Sequence, residues 1–263
     1  MVIEPRAQLE RTLRRFAPRR IEHALPQGCL RVVAIGGGTG LSALLQGLKT
    51  YARSAGQSEL RRLSGQSSVV DITAVVTVTD DGGSSGRLRR DFEVLPPGDL
   101  RNCMVALSED EALLSRLLQY RFPRGRGLKN HSFGNLFLTA LTQITRDFPQ
   151  AVKVVSDVLA IAGRIYPSTT ANVVLEARLE DGNTVYGETR ISKSRSPIVR
   201  IALNPPHCSP LQETLEAIAQ ADLITLGPGS LFTSIIPNLL VEGIPQAIQD
   251  SPAVKACFVN LMW

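Results

Sequence analysis

The stretch Leu30-Arg-Val-Val-Ala-Ile-Gly-Gly-Gly-Thr-Gly-Leu-Ser-Ala-Leu-Leu-Gln-Gly-Leu-Lys49 decides the fold. Leu30 to Ile35 is a short, nearly continuous apolar run, the pattern of a strand buried on both faces. Gly36 to Gly40 follows without a spacer. Leu41, Leu44, Leu45 and Leu48 then recur at helical spacing. Strand, glycine turn and helix in that order form the opening unit of a parallel α/β sheet.

Working outward, the unit recurs. Val69 to Thr79 is dense in Val, Ile and Thr and reads as a second strand. It ends in Asp80-Asp-Gly-Gly-Ser-Ser-Gly86, a second polar glycine loop. Pro96-Pro-Gly98 is a turn, and Asp99 or a neighbour caps a helix carrying Val105 and Leu107, then Leu113 to Leu118. Arg121 to Lys129 is a basic glycine loop. Asn130 or Ser132 starts a helix through Leu136, Leu138, Leu141 and Ile144. Pro149 interrupts it, and Val152 to Ile161 gives another helix. The pattern then changes. Val173–Leu179 and Thr184–Ile191 alternate around Glu180-Asp-Gly-Asn183, a hairpin signal. Ile198 to Leu203 is a further strand, and Ser209-Pro-Leu-Gln212 reads as a capping box with Pro210 at the first helical position. Asp222 to Leu226 is a strand, Gly227-Pro-Gly-Ser230 a third glycine turn, Leu231 to Leu240 a helix around Pro237, and Ala253 to Leu261 a last strand.

The expected fold is α/β and Rossmann-like: a mostly parallel, doubly wound sheet with a β-hairpin embellishment at about residues 164–203. Residues 31–263 form a single domain behind a basic lead-in, 1–30. Residues 51–68, rich in Ser, Gly, Gln and Arg, read as a flexible connection.

Composition fits this reading. The 263 residues are 43% hydrophobic and 20% charged, enough for a sizeable core and against wholesale disorder. Aromatics are only 5%, which argues against a base-stacking nucleic-acid platform, so no nucleic-acid partner is expected. The net charge is +5, and much of it lies in the lead-in, where six arginines face Glu4, Glu10 and Glu22. The bland reading of that cluster is a solvated helix or frayed tail. Cys29, Cys103, Cys208 and Cys257 form no C-x-x-C pair, which suits structural thiols in a reducing compartment. With no transmembrane run and no signal-type stretch, a cytoplasmic location is expected.

Three polar glycine loops each follow a predicted parallel strand, so all three belong at one edge of the sheet, where such folds bind ligands. Glycine lets backbone N–H groups approach an anion, and the next helix adds its own unpaired N–H groups. The first loop contributes Gly36, Gly37, Gly38, Thr39 and Gly40. It matches neither G-x-G-x-x-G nor a Walker A loop, and this weakens any dinucleotide oxidoreductase reading. In the second, Asp80 and Asp81 can hold Mg²⁺ or accept from sugar hydroxyls, and Gly82, Gly83, Ser84 and Ser85 can form an anion nest, with Arg87, Arg89 and Arg90 as charge partners. The third offers Gly227, Gly229, Ser230, Thr233 and Asn238. Arg101 and Asn102, and His131 with Asn135, are further ligand candidates that also have plain helix-capping readings. No G-x-S-x-G elbow and no nucleophile with its base is evident, so no catalytic residue is assigned.

Val33 to Leu41, Ile72 to Arg89, Pro96 to Asn102, His131 to Leu136 and Gly227 to Val241 together resemble the bacterial gluconeogenesis factor family (YvcK type), related to the 2-phospho-L-lactate transferases (CofD type). The resemblance runs from about Arg31 to the last residue. It implies a Rossmann-like domain that binds UDP-sugars such as UDP-N-acetylglucosamine. It implies a regulator of carbon flux, envelope precursors and cell shape more than a catalyst, with a metabolic-enzyme partner and homo-oligomeric assembly. The related transferases move a phospholactyl group from a guanosine diphosphate carrier onto a deazaflavin, with Mg²⁺ near the aspartates that Asp80 and Asp81 match. Such a Mg-dependent transferase is the alternative expectation. The family usually continues well past Trp263, with part of the nucleotide-sugar site in that extension, so the resemblance implies that this part is missing here.

Overall fold

A computed structural model describes residues 29–52, 70–108 and 113–260. Most of the basic lead-in and most of the 51–68 connection lie outside the described residues. Two sheets organise the chain. The larger has five strands, β1 (Leu30–Gly36), β2 (Val70–Val76), β3 (Arg164–Pro167), β7 (Leu223–Leu226) and β8 (Val254–Cys257), in the order β3-β2-β1-β7-β8. Every pairing in it is parallel. The smaller is antiparallel, in the order β5-β4-β6, with β4 at Val174–Leu179, β5 at Thr184–Tyr186 and β6 at Ile198–Asn204.

The apolar runs become the centre of the larger sheet because helices cover both of its faces. Val32, Val33, Ala34 and Ile35 of β1, and Ile72 with Ala74 to Val76 of β2, are all buried. Helix α1 (Gly38–Lys49) seats Leu41 and Leu45, one turn apart, in this core and packs along α3 (Gly98–Leu107). Between β2 and β3 the chain also forms α2 (Gly83–Phe92), α4 (Leu113–Gln119), α5 (Phe133–Thr145) and α6 (Phe148–Val158). Helices α7 (Glu188–Ile191) and α8 (Gln212–Gln220) follow. A π-helical turn (Leu231–Ile235) then runs into α9 (Ile236–Leu239), and α10 (Ile244–Asp250) leads to β8. Among the described residues, no single helix is long and apolar enough to cross a membrane.

Several elements differ from expectation, each for a local reason. The second strand ends at Val76, not Thr79. The second glycine loop is short, because Gly83 already opens α2 and takes Ser84 to Arg90 into helix. Pro149 starts α6 rather than breaking a helix: it sits in the first turn, with Asp147 accepting from Gln150 N–H at 3.1 Å. Ser209 caps nothing, since α8 begins at Gln212 after an extended Leu211. The hairpin strand expected to Ile191 stops at Tyr186, where Gly187 (φ 88°) turns the chain into α7. Arg164–Pro167, placed by sequence in the hairpin sub-region, instead pairs with β2 as the edge of the larger sheet. The helix expected over Leu231–Leu240 is π-wound in its first half, and the last strand spans only Val254–Cys257.

Candidate functional site

Because all five strands run parallel, the carboxyl ends of β1, β2 and β7 share one edge, and their three glycine turns lie there. From β1 the chain steps outward to β2 and β3, then returns to β7 on the other side of β1. The reversal leaves a crevice between β1 and β7, flanked by Gly36–Gly40 and Gly227–Ser230. These two turns meet backbone to backbone. A Cβ on Gly40 would fall 2.6 Å from the Pro228 carbonyl oxygen. Asn238, fully buried, fastens the junction by donating from Nδ2 to Gly36 O (3.2 Å) and Ser234 O (2.8 Å). Ser230 Oγ caps the π-turn by accepting from Thr233 N–H at 3.4 Å. Thr39 stands exposed at the start of α1.

Carboxylates gather beside this crevice from three segments. Asp80 Oδ1 accepts from Gly82 N–H (2.8 Å), and its Oδ2 presses on Gly98, where a Cβ would lie only 2.7 Å away. Asp99 accepts from the backbone N–H of Gly38, so an internal carboxylate already occupies part of the first turn's amide cradle. Burial, then Asp80, pushes the Asp99 carboxyl up to about 6. Glu188, from the far side of the hairpin, takes a hydrogen bond from Thr233; burial, then Asp99, Asp80 and Asp81, push it up to about 8. Asp81 is committed differently. Its Oδ1 accepts from both N–H (2.8 Å) and Oγ1 (2.7 Å) of Thr189, which ties the second turn to α7.

Other expected ligand residues carry internal contacts. Ser84 and Ser85 turn inward: Ser84 Oγ lies 3.0 Å from His131 Nδ1, and Ser85 Oγ accepts from Asn135 Nδ2 at 3.4 Å. All four side chains are buried, and they pin α2 against the start of α5. Burial, then Arg87, lowers the His131 pKa. Arg89 is also buried and holds the hairpin region, donating to Asn172 Oδ1 (2.8 Å) and to Val173 O. Arg101 runs under α5 to Ser132, and Asn102 accepts from it.

Sequence reasoning overlooked Glu188 and Thr189 entirely and treated Asp99 only as a cap. The sole local signal was Gly187-Glu188, which interrupts an alternating strand pattern. Among the described residues no group of three or more His, Cys, Asp or Glu is arranged to hold a metal ion by itself.

Comparison with known proteins bears on the family and the fold. The 2-phospho-L-lactate transferase CofD family matches residues 32–263. The gluconeogenesis factor of Halalkalibacterium halodurans is 49% identical over 231 residues, covering 88% of this chain and 66% of that protein. A gluconeogenesis-factor relative from Nostoc sp. is 50% identical over 232 residues, covering 88% of this chain and 47% of its own length. This chain thus spans about half to two thirds of these relatives. A crystal structure of a Bacillus halodurans protein superposes with a TM-score of 0.79 at 48% identity, covering 87% of this chain and 68% of that one. A family match over nearly the whole described region, together with the same fold in a close relative, shows that this chain belongs to the CofD family of 2-phospho-L-lactate transferases, alongside relatives named gluconeogenesis factor.

Proposed function

We propose that the crevice between β1 and β7 binds the diphosphate of a nucleotide-sugar, such as UDP-N-acetylglucosamine, and that the protein uses this binding to regulate carbon flux into envelope precursors. The observation that carries the reading is the close backbone contact of two glycine turns at the topological switch point. There, main-chain amides and the start of α1 face the same crevice, and Gly40 leaves no room for a side chain.

The carboxylates beside the cradle oppose a bare diphosphate. A divalent cation resolves the conflict, because Mg²⁺ is commonly held by one or two carboxylates together with substrate phosphates. The residues fit that arrangement: Asp80 has an oxygen facing Gly98, whereas Asp81 is spent on Thr189. Asp80, with Asp99, would hold the ion against the phosphates. A cytoplasmic, homo-oligomeric protein acting on a metabolic-enzyme partner completes the proposal.

Thermal unfolding with and without UDP-N-acetylglucosamine tests it, since a ligand of the folded state raises Tm. A saturable rise that grows with Mg²⁺ is expected. A rise with GDP or NAD but not with UDP-sugars reassigns the ligand, and no rise with any nucleotide removes the proposal. The carboxylate cluster and the family match favour one second reading, a Mg-dependent phospholactyl transferase. Its test is product formation from a guanosine diphosphate donor and a deazaflavin acceptor, and absence of product rejects it.

A further inference from the structure

The smaller sheet has one face in the core and one outside it. Leu175, Ala177 and Leu179 of β4 and Leu203 of β6 are buried. The residues between them point the other way, because side chains alternate along a strand. On that outer face the register sets Thr184, Arg178 and Arg200 in one row across all three strands. Tyr186, Glu176 and Ala202 form the next row.

Arg178 and Arg200 are thus direct cross-strand neighbours of like charge, an arrangement that weakens a sheet. Both are exposed, and although Glu176 shares their face, neither guanidinium forms an ion pair or a side-chain hydrogen bond among the described residues. The backbone beside the pair is irregular, with a register shift between Arg178 and Leu179. Such bulges bend a strand and re-aim its side chains.

The face is concave at this point. A cavity of about 540 Å³ has Glu176, Arg178, Gly182, Thr184, Arg200 and Asn204 in its lining. An adjoining one of about 430 Å³ shares Arg178, Gly182 and Arg200. The first has the volume of a small-metabolite site. Its lining combines two chemistries. Two forked guanidinium groups side by side supply the paired donors that hold a phosphate. Glu176, Thr184 and Asn204 supply a carboxylate, a hydroxyl and an amide, the groups that hydrogen-bond sugar hydroxyls. None of these residues takes part in the glycine crevice.

We propose that the outer face of the smaller sheet is a second ligand site, which takes a phosphorylated polyol such as a hexose phosphate. The Arg178–Arg200 pair holds the phosphate, and Glu176 accepts from hydroxyl groups. The bound phosphate offsets the repulsion between the two arginines. This inference goes beyond the nucleotide-sugar reading and does not rest on it.

Calorimetry on the full chain at fixed ionic strength tests it, with a hexose 6-phosphate, inorganic phosphate and the free hexose as probes. Wild type is expected to bind the hexose 6-phosphate saturably, inorganic phosphate more weakly, and the free hexose not measurably. Arg200→Gln and Arg178→Gln are exposed substitutions that leave the buried face untouched. Each is expected to weaken hexose 6-phosphate binding by about tenfold or more, the loss of a charge-assisted contact. Glu176→Gln is expected to weaken the hexose 6-phosphate several-fold and to leave inorganic phosphate binding no weaker. Lys193→Gln removes the same charge from an exposed position outside the cavity lining and is expected to bind as wild type does. The proposal is overturned if wild type shows no saturable binding. It is also overturned if Arg200→Gln binds as wild type does, which would place the ligand elsewhere, or if Lys193→Gln loses as much as Arg200→Gln, which would mean a diffuse basic surface. Equal affinity for inorganic phosphate and the hexose 6-phosphate would overturn the assignment of a polyol.

Discussion

The turn after β1 and the turn after β2 have the same chemistry, yet the fold uses them in opposite ways. Both are runs of glycine and hydroxyl residues between a buried strand and a helix. The first meets the turn after β7 backbone to backbone, and Thr39 faces solvent. The second turns its serines inward, onto His131 and Asn135, and spends Asp81 on Thr189. What a glycine-rich turn can offer a ligand therefore depends on how many of its polar groups its neighbours have already taken. What separates the two is the strand next door. The first turn lies at the reversal between β1 and β7, and the second has α5 packed over it.

This contrast can be broken by substitution. Gly40→Val drives a side chain into the Pro228 carbonyl, and is expected to destabilise by about 3 kcal/mol or more and to erase nucleotide-dependent stabilisation. At Gly83, where a Cβ meets nothing but φ is +43°, alanine is expected to cost only about 1–2 kcal/mol and to spare ligand response. Equal losses at both glycines in urea unfolding would erase the distinction.

Asp80 and Asp81 sharpen it further. Asp81→Ala removes two hydrogen bonds to a carboxylate and is expected to cost roughly 2–4 kcal/mol of stability. Asp80→Asn is expected to cost less than half of that, yet to abolish the Mg²⁺ effect on ligand-induced Tm. The reverse assignment, with Asp81 governing the Mg²⁺ response, would show that the Thr189 tie is not the residue's main task.

The Glu188 carboxyl is raised from an ordinary 4.5 to about 8. The folded state therefore holds a proton that the unfolded chain releases. Stability is greatest below about pH 4.5 on this account and falls as pH rises towards 8. After discounting for partial exposure, the fall is expected to be roughly 2 kcal/mol, and Glu188→Gln should flatten it. A variant with the wild-type pH slope of urea midpoints would remove Glu188 from the cluster. Smallest is Ser84→Ala, expected to cost about 1 kcal/mol and leave nucleotide binding intact; a lost ligand response would put the second turn back in the crevice.

Strand, glycine turn and helix were legible in the chain because each is written in neighbouring residues: an unbroken apolar run, the missing side chains of glycine, leucines recurring every three or four positions. The parallel sheet, and the shared edge at which its glycine turns lie, follow from that order. Boundaries were less legible, as at Pro149 and Gly187, where a residue that interrupts a pattern was really starting the next element.

Only the tertiary structure decided which glycine turns face the crevice and which are consumed. It brought Glu188 to Asp80 and Asp99 across about a hundred residues, and Arg101 to Ser132 at the start of α5. Such encounters leave no local periodicity, because they are set by strand order and helix packing, and electrostatic energy depends on distances that a sequence does not contain.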